Sequence, residues 1–132
     1  MIVDTSAIVA ILTGGPDGDD LLEALAGAAG AKISAGTLLE AGAVLTNRAL
    51  PQQGRRLDDF LAAVGVSIVP FDEEQAQIAR QAYADFGRGS GHPAHLTCGD
   101  CFAYALHRVT GEPLLFKGGH FAAAGVPSAL DT

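Results

Sequence analysis

The 132-residue sequence has few cysteines, no tryptophan and no long apolar run. Its two cysteines, Cys98 and Cys101, are too few and too close together for the disulfide framework of a secreted domain. No stretch approaches the roughly 20 apolar residues that span a bilayer. Asp4 also stands near the start, where a secretory signal carries Lys or Arg. We therefore expect a cytoplasmic protein with no membrane contact.

Basic side chains are scarce as well: 8 Lys and Arg stand against 15 Asp and Glu, which gives a formal net charge of −7. This balance argues against a protein that coats nucleic acid by bulk charge, so any affinity for phosphate must come from local basic groups or bound cations. Apolar residues make up 48% of the chain, which excludes intrinsic disorder. The length suits a single domain over residues 1–132.

Apolar periodicity divides the chain into alternating short strands and helices. The first helix follows Thr5 and Ser6, either of which can cap it. The pattern predicts strands at 1–4, 31–34, 67–69 and 114–116, a candidate edge strand at 126–130, and helices ending near 12, 30, 50, 64, 86 and 110. This alternation predicts an α/β fold with a mostly parallel sheet of four to five strands flanked by helices.

Three acidic residues fall where chemistry gathers in such a sheet, beyond the carboxyl ends of the strands. Asp4 closes the first strand and is not needed as a helix cap, since the hydroxyl residues after it can fill that role. Glu40 lies in an apolar helix without a neighbouring Lys or Arg, so it either faces a narrow solvent stripe or pairs with a metal ion. Asp100 lies three residues after Thr97, a spacing close to a capping box, and the helix dipole favours its ionised form. Periodicity does not show that the three converge.

Four stretches of the chain carry further motifs. They read MIVDTSAIVA at 1–10, LLEA at 38–41, TCGDCFAYAL at 97–106 and PLLFKGGHF at 113–121. As a set, in this order, they resemble PIN-domain ribonucleases and, more narrowly, the VapC toxins of VapBC pairs. The resemblance implies a PIN-like domain that is the toxin of a type II toxin–antitoxin system. It also implies a metal-dependent endoribonuclease, a hydrolase of RNA phosphodiester bonds, with Mg²⁺ or Mn²⁺ held by Asp4, Glu40 and Asp100. Its implied partners are a VapB-type antitoxin, RNA and a second copy in a homodimer.

The segment after the last core strand departs from the pattern of this family. Relatives often read Lys-Gly-x-Asp-Phe there, whereas 117–121 is Lys-Gly-Gly-His-Phe and offers no carboxylate, which leaves one or two metal ions open. His120 is either a solvated loop histidine, a ligand for a softer cation such as Mn²⁺, or a proton donor to the leaving oxygen. Lys117 is either a surface lysine or a phosphate-positioning charge. Thr5 and Ser6 are candidates for orienting the metal ligands.

Contacts to RNA beyond the metal must come from scattered arginines. Arg48, Arg55 and Arg56 cluster near the turn between the third and fourth helices, and Arg88 lies in the loop before the sixth helix. They are candidate RNA-binding residues. The alternative is that they balance the acidic residues of the fourth helix.

Other functions stay open at this point. A PIN-like module that only binds RNA or its antitoxin is compatible with the missing fourth acid. Cys98-Gly-Asp-Cys101 at a helix start is also the pattern of a thiol oxidoreductase, because a helix N-terminus lowers a thiol pKa, but it comes late in the chain. A zinc site that adds His92 and His95 has no familiar closed-site spacing. A phosphatase with an aspartate nucleophile after the first strand would want a second acid two residues on, where a serine stands.

Overall fold

The computed structural model describes residues 1–48 and 51–131. Its strands are β1 (Ile2–Val3), β2 (Lys32–Ser34), β3 (Ser67–Val69) and β4 (Leu114–Leu115). Its helices are α1 (Thr5–Leu12), α2 (Gly18–Ala26), α3 (Ala35–Asn47), α4 (Pro51–Ala63), α5 (Glu73–Phe86), α6 (Cys98–Thr110) and α7 (His120–Ala123), and a 3₁₀ turn follows at Ala129–Asp131. None of the helices in these two ranges is long and apolar enough to cross a bilayer.

The four strands form one parallel sheet in the order β3-β2-β1-β4. Ile2 pairs with Lys32 on one side and with Leu114 on the other, so β1 is central. Because every pair is parallel, all four carboxyl ends lie at the same edge of the sheet. This confirms the predicted α/β class and the parallel sheet.

Apolar layers cover both faces of the sheet. Successive strand residues point to opposite faces, so Val3 and Leu115 pack with α1 to α4, whereas Ile2 and Leu114 pack with α5 and α6. All four are fully buried. The strands β1 and β4 contain no polar residue, because a sheet that is covered on both faces requires apolar side chains on both.

The predicted edge strand at 126–130 is wrong. This segment meets β4 through a single bridge between Leu114 and Ser128 and then enters the 3₁₀ turn. Pro127 has no N–H to donate to a ladder, and Gly125, directly before the segment, has a φ of 85°, which no extended strand adopts. The last two residues of the predicted third helix, 49 and 50, lie outside the described residues.

Candidate active site

Asp4 stands at the carboxyl end of β1 and is the N-cap of α1. Its backbone is extended, and its Oδ2 accepts hydrogen bonds from the Ser6 N–H at 2.9 Å and the Ser6 hydroxyl at 2.7 Å. The prediction that Thr5 or Ser6 caps this helix is therefore wrong, because both residues already lie inside α1. Asp4 is 1% exposed, and its Oδ1 is buried without a hydrogen-bond partner among the described residues.

The two hydroxyl residues of α1 connect Asp4 to neighbouring elements. The Ser6 hydroxyl, which donates to Asp4, also accepts from the Lys117 N–H at 2.9 Å and so joins α1 to the segment after β4. The Thr5 hydroxyl donates to Glu40 Oε1 at 2.5 Å and so joins α1 to α3. These bonds fix the orientation of two of the three predicted carboxylates.

Glu40 packs against the first turn of α6 at Gly99. A methyl group at position 99 would overlap the Glu40 carboxylate, so only glycine allows this approach. Gly99 is a site residue that the sequence reasoning missed. A glycine at the second position of a helix, directly before the candidate ligand Asp100, was the available signal.

Asp100 is held in the first turn of α6 by a capping box. Its Oδ2 accepts from the Thr97 N–H at 2.9 Å, and its own N–H donates to the Thr97 hydroxyl at 3.1 Å, which confirms the predicted pairing of these residues. His120 Nδ1 lies 3.0 Å from the same Oδ2. This contact becomes a hydrogen bond in the tautomer or charge state that has a proton on Nδ1, because a carboxylate oxygen is the acceptor. His120 thus contacts the acid from outside the pocket rather than standing free in solvent.

The three acids line one cavity of about 390 Å³ at the carboxyl edge of the sheet. Thr5 and Ser6, the accessory candidates on α1, share its wall. The remaining lining residues are Val9, Ala10, Thr13, Gly15, Val44, Arg48 and Lys117. The convergence that periodicity could not show is therefore present in the structure.

Burial raises the pKa of Asp4 to about 7, although the hydrogen bonds from Ser6 oppose this effect. The nearby charges of Asp100 and Glu40 raise it further. A carboxylate cluster of this kind is ionised at little cost only beside a counter-charge. The unpartnered Asp4 Oδ1 is an oxygen donor available to a hard cation.

The donor set fits an ion that retains water. Within 1–48 and 51–131, no three His, Cys, Asp or Glu side chains are close enough together to hold a metal ion by themselves. Mg²⁺ does not need such a cage, since it keeps several waters and binds through one or two carboxylates. One or two carboxylates of this cluster, with water between the ion and the rest, therefore fit Mg²⁺, or Mn²⁺ with the same oxygen ligands, better than they fit a closed structural site.

The basic candidates divide into two groups. Arg48 and Lys117 line the acidic cavity, and Lys117 Nζ also lies 3.7 Å from Asp17 Oδ2. The other three arginines are exposed, and the described lining of the acidic cavity does not include them: Arg55 and Arg56 on α4, and Arg88 in the loop before α6.

The cysteine pair is poorly suited to thiol chemistry. Both thiols are free, but Cys98 is exposed whereas Cys101 is buried. Burial raises the pKa of Cys101 to about 12, the opposite of what a reactive Cys-x-x-Cys needs. Together with Phe71, Tyr83 and Phe102, the two cysteines line a separate apolar cavity of about 430 Å³ between α5 and α6.

The fold and the site together define a class of protein. Its mark is a parallel α/β sheet with carboxylates from three elements at its carboxyl edge. The model of the PIN domain family matches residues 1–127. The chain is 50% identical over 131 residues to ribonuclease VapC28 of Mycobacterium tuberculosis, covering 99% of this chain and 98% of that protein. It is 46% identical over 121 residues to ribonuclease VapC of Mycolicibacterium smegmatis, covering 92% and 93%. It therefore belongs to the PIN domain family and, within it, to the VapC toxin ribonucleases.

Solved structures agree on the fold. The crystal structure of Mycobacterium tuberculosis VapC20, a Sarcin-Ricin loop cleaving toxin, superposes with a TM-score of 0.75 at 19% identity, covering 96% of this chain and 95% of that one. A toxin–antitoxin complex from Klebsiella pneumoniae gives a TM-score of 0.63 at 16% identity, covering 89% and 86%. The resemblance drawn from the four sequence motifs is confirmed.

Proposed function

We propose that this chain is a cytoplasmic endoribonuclease that hydrolyses RNA phosphodiester bonds with Mg²⁺ or Mn²⁺ held by Asp4, Asp100 and Glu40. The observation that carries the proposal is the state of Asp4. One of its oxygens is fixed by Ser6, while the other is buried beside two further carboxylates with no hydrogen-bond partner in residues 1–48 and 51–131. A buried anion left in this state favours a cation as its missing partner.

Each of the three acids has its own part in the proposed metal site. A bound divalent ion supplies activation of water and neutralisation of the phosphate charge. Asp4 presents Oδ1, Asp100 presents the oxygen that its capping box leaves free, and Glu40 completes the set directly or through water, held by Thr5. Without a counter-ion the three carboxylates repel phosphate, so RNA should bind productively only after the ion.

His120 acts on Asp100 in this proposal. It occupies the place where relatives carry a fourth acid, and it donates from Nδ1 to Asp100 Oδ2 at 3.0 Å. We assign it as a positioning residue, since the partners that hold ligating carboxylates are a regular part of metal sites. We prefer this role to the three that the sequence left open, which are a solvated loop histidine, a ligand of Mn²⁺ and a proton donor to the leaving oxygen.

RNA cleavage tests the proposal. The purified chain should cut a single-stranded RNA in Mg²⁺ or Mn²⁺ and stop in EDTA, and Asp4→Asn and Asp100→Asn should be inactive. Asp59→Asn, an exposed carboxylate on α4, is the matched control and should cut as the wild type does. Equal cleavage in EDTA would overturn metal dependence. Binding of RNA without cleavage in either ion would favour the non-catalytic module, which the missing fourth acid keeps as the second candidate.

We also propose a VapB-type antitoxin and a homodimer as partners. Support comes from membership of the VapC family and from the apolar surface that the described chain leaves open, where Leu39 is 74% and Ile68 54% exposed. Co-expression with the neighbouring gene should yield a complex that no longer cuts RNA, and light scattering should give twice the chain mass for the isolated protein. A monomer at micromolar concentration would reject the homodimer.

A further inference from the structure

The acidic cavity continues as a groove between α1 and α3. Along α1 its wall is formed by Thr5, Val9 and Thr13, and along α3 by Glu40, Val44 and Arg48. Each series advances by four residues, so each runs along one face of its helix, parallel to the helix axis. The groove therefore leads from the carboxylates, beside the start of α1 and the middle of α3, to Arg48 at the end of α3.

The length of the groove can be read from the helix geometry. Arg48 lies eight residues after Glu40, which is a distance of about 12 Å along the helix axis at the usual rise of about 1.5 Å per residue. That distance is close to two internucleotide steps of an extended RNA strand. A cavity of about 390 Å³ lies near the lower end of the usual size of ligand sites, about 300–1,000 Å³, so its size suits about one nucleotide beside the acids.

The two ends of the groove differ in charge. Three carboxylates stand at one end, the middle is walled by Val9, Ala10 and Val44, and a guanidinium stands at the other end. Arg48 forms no ion pair with any described residue, whereas Lys117 is near Asp17. A planar guanidinium free of a carboxylate is well suited to bidentate contact with a phosphate.

We propose that the groove between α1 and α3 binds a single RNA strand, with the nucleotide next to the cleaved bond over Val9 and Val44. Arg48 then binds the phosphate two linkages from the cleaved bond. The inference rests on the proposed ribonuclease function and adds a substrate register to it. It also separates Arg48 from Arg55 and Arg56, which the sequence grouped together.

Salt dependence of binding is the first test, and it does not need cleavage. The probe is a fluorescein-labelled, single-stranded, eight-nucleotide RNA of mixed sequence. It is titrated in EDTA with the non-cleaving triple variant Asp4→Asn, Glu40→Gln and Asp100→Asn, in which the carboxylate repulsion that a metal ion would offset is absent. Adding Arg48→Gln should weaken binding about fivefold and lower the slope of log K against log salt by about 0.7, the value for one phosphate contact on a single strand. Arg48→Lys should keep the slope, because it keeps the charge.

Arg108→Gln is the matched control, since Arg108 is an exposed arginine in the last turn of α6, away from the groove. It should leave both affinity and slope unchanged. Thermal melting of each variant checks that the fold is kept. An unchanged slope for Arg48→Gln, or an equal loss with Arg108→Gln, overturns the inference.

Phosphate neutralisation tests the register. In an RNA whose cut site has been mapped, a methylphosphonate two linkages from the cut, on one side, should lower kcat/KM severalfold for the wild type and have no further effect on Arg48→Gln. Losses that add in full would show that Arg48 does not bind this phosphate. That result would overturn the register and leave metal-dependent cleavage intact. A wild-type protein that cuts no RNA would overturn the proposed function, and the result of the salt test would still stand.

Discussion

Asp4 combines a structural and a chemical role in one side chain. Its Oδ2 caps α1, and its Oδ1 is buried at the cavity with no hydrogen-bond partner in the part of the chain that the structure describes. The sequence located Asp4 but assigned the cap to its neighbours, because Asp, Thr and Ser are all favoured caps and stand in succession. The extended backbone at the end of β1 decides between them, and only the tertiary structure supplies the burial that raises its pKa.

The first prediction concerns the pH dependence of stability in the metal-free protein. The pKa of Asp4 is about 7 in the folded state against 3.8 ordinarily, so between these values the folded chain holds a proton that the unfolded chain has lost. The free energy of unfolding of the wild type should therefore fall, relative to Asp4→Asn, as pH rises from about 4 to about 7, and the difference should level off above that. Urea titrations in EDTA across this range measure it.

The control for this prediction is the divalent ion itself. Mg²⁺ added above pH 7 should raise the Tm of the wild type and leave that of Asp4→Asn nearly unchanged, since ligand binding stabilises only a protein that binds it. Parallel pH curves for the two proteins would show that Asp4 titrates normally.

Gly99 gives the second prediction. Gly99→Ala places a methyl group in the volume of the Glu40 carboxylate and so should move Glu40 and reduce RNA cleavage at least tenfold. Stability should change little, because the displaced atoms are the far end of the flexible Glu40 side chain and the higher helix propensity of alanine offsets the loss of its hydrogen bond from Thr5. Gly42→Ala is the matched control, because Gly42 is also helical and faces open space. It should be slightly stabilised and fully active; a fully active Gly99→Ala would contradict the packing described for Glu40.

At the scale of elements, local signals predicted most of the fold. Apolar runs and helix breakers gave the four strands and six helices, because caps, glycines and prolines act on the residues beside them. The convergence of the acids was not predictable in this way. It depends on the order β3-β2-β1-β4 and on the packing of α3 and α6 beside β1 and α1, which brings the three acid-bearing elements around the end of β1. Local signals also explain why the strand predicted at 126–130 is wrong. Its apolar residues suggested pairing with β4 along its length, whereas Pro127 lacks the N–H that such pairing needs and only one bridge forms.

The third prediction concerns the first turn of α6, where a structural cap also holds a ligand. Thr97→Ala removes the hydroxyl that accepts the Asp100 N–H and should cost about 1 kcal/mol of stability. The lost hydrogen bond also holds the backbone of Asp100 in place. The affinity for Mn²⁺ should therefore fall together with the stability. Thr97→Ser keeps the hydroxyl and should restore both properties. Calorimetric titration with Mn²⁺ and thermal melting measure them; loss of stability with unchanged Mn²⁺ affinity would separate the cap from the site.

At the scale of the whole molecule, the distribution of charge matters more than its sum. The chain carries a net charge of −7, yet Arg48 and Lys117 face the cavity in which three of its acids lie. The sequence could not distinguish Arg48 from Arg55, because only the packing of α3 against α1 places Arg48, the C-cap of α3, beside the cavity and leaves Arg55, on α4, away from it. The acidic sum excluded bulk binding of RNA, and the structure adds a local route for it.

The last prediction is that the cavity, and not the net charge, makes RNA binding depend on a divalent ion. The triple variant Asp4→Asn, Glu40→Gln and Asp100→Asn removes three negative charges from −7, leaving −4. It should bind a single-stranded RNA in EDTA more tightly than the wild type does, because the repulsion at the groove is gone. Its affinity should also no longer rise when Mg²⁺ is added. Fluorescence anisotropy at constant ionic strength measures both effects.

A second triple variant separates the two explanations. Asp59→Asn, Glu74→Gln and Asp85→Asn remove three exposed charges from α4 and α5 and also leave −4. Long-range repulsion between exposed charges is screened beyond about 8–10 Å at ordinary salt, so this variant should keep the weak binding in EDTA and the full response to Mg²⁺. If both variants gain RNA affinity equally, bulk charge governs binding and the carboxylate cavity does not.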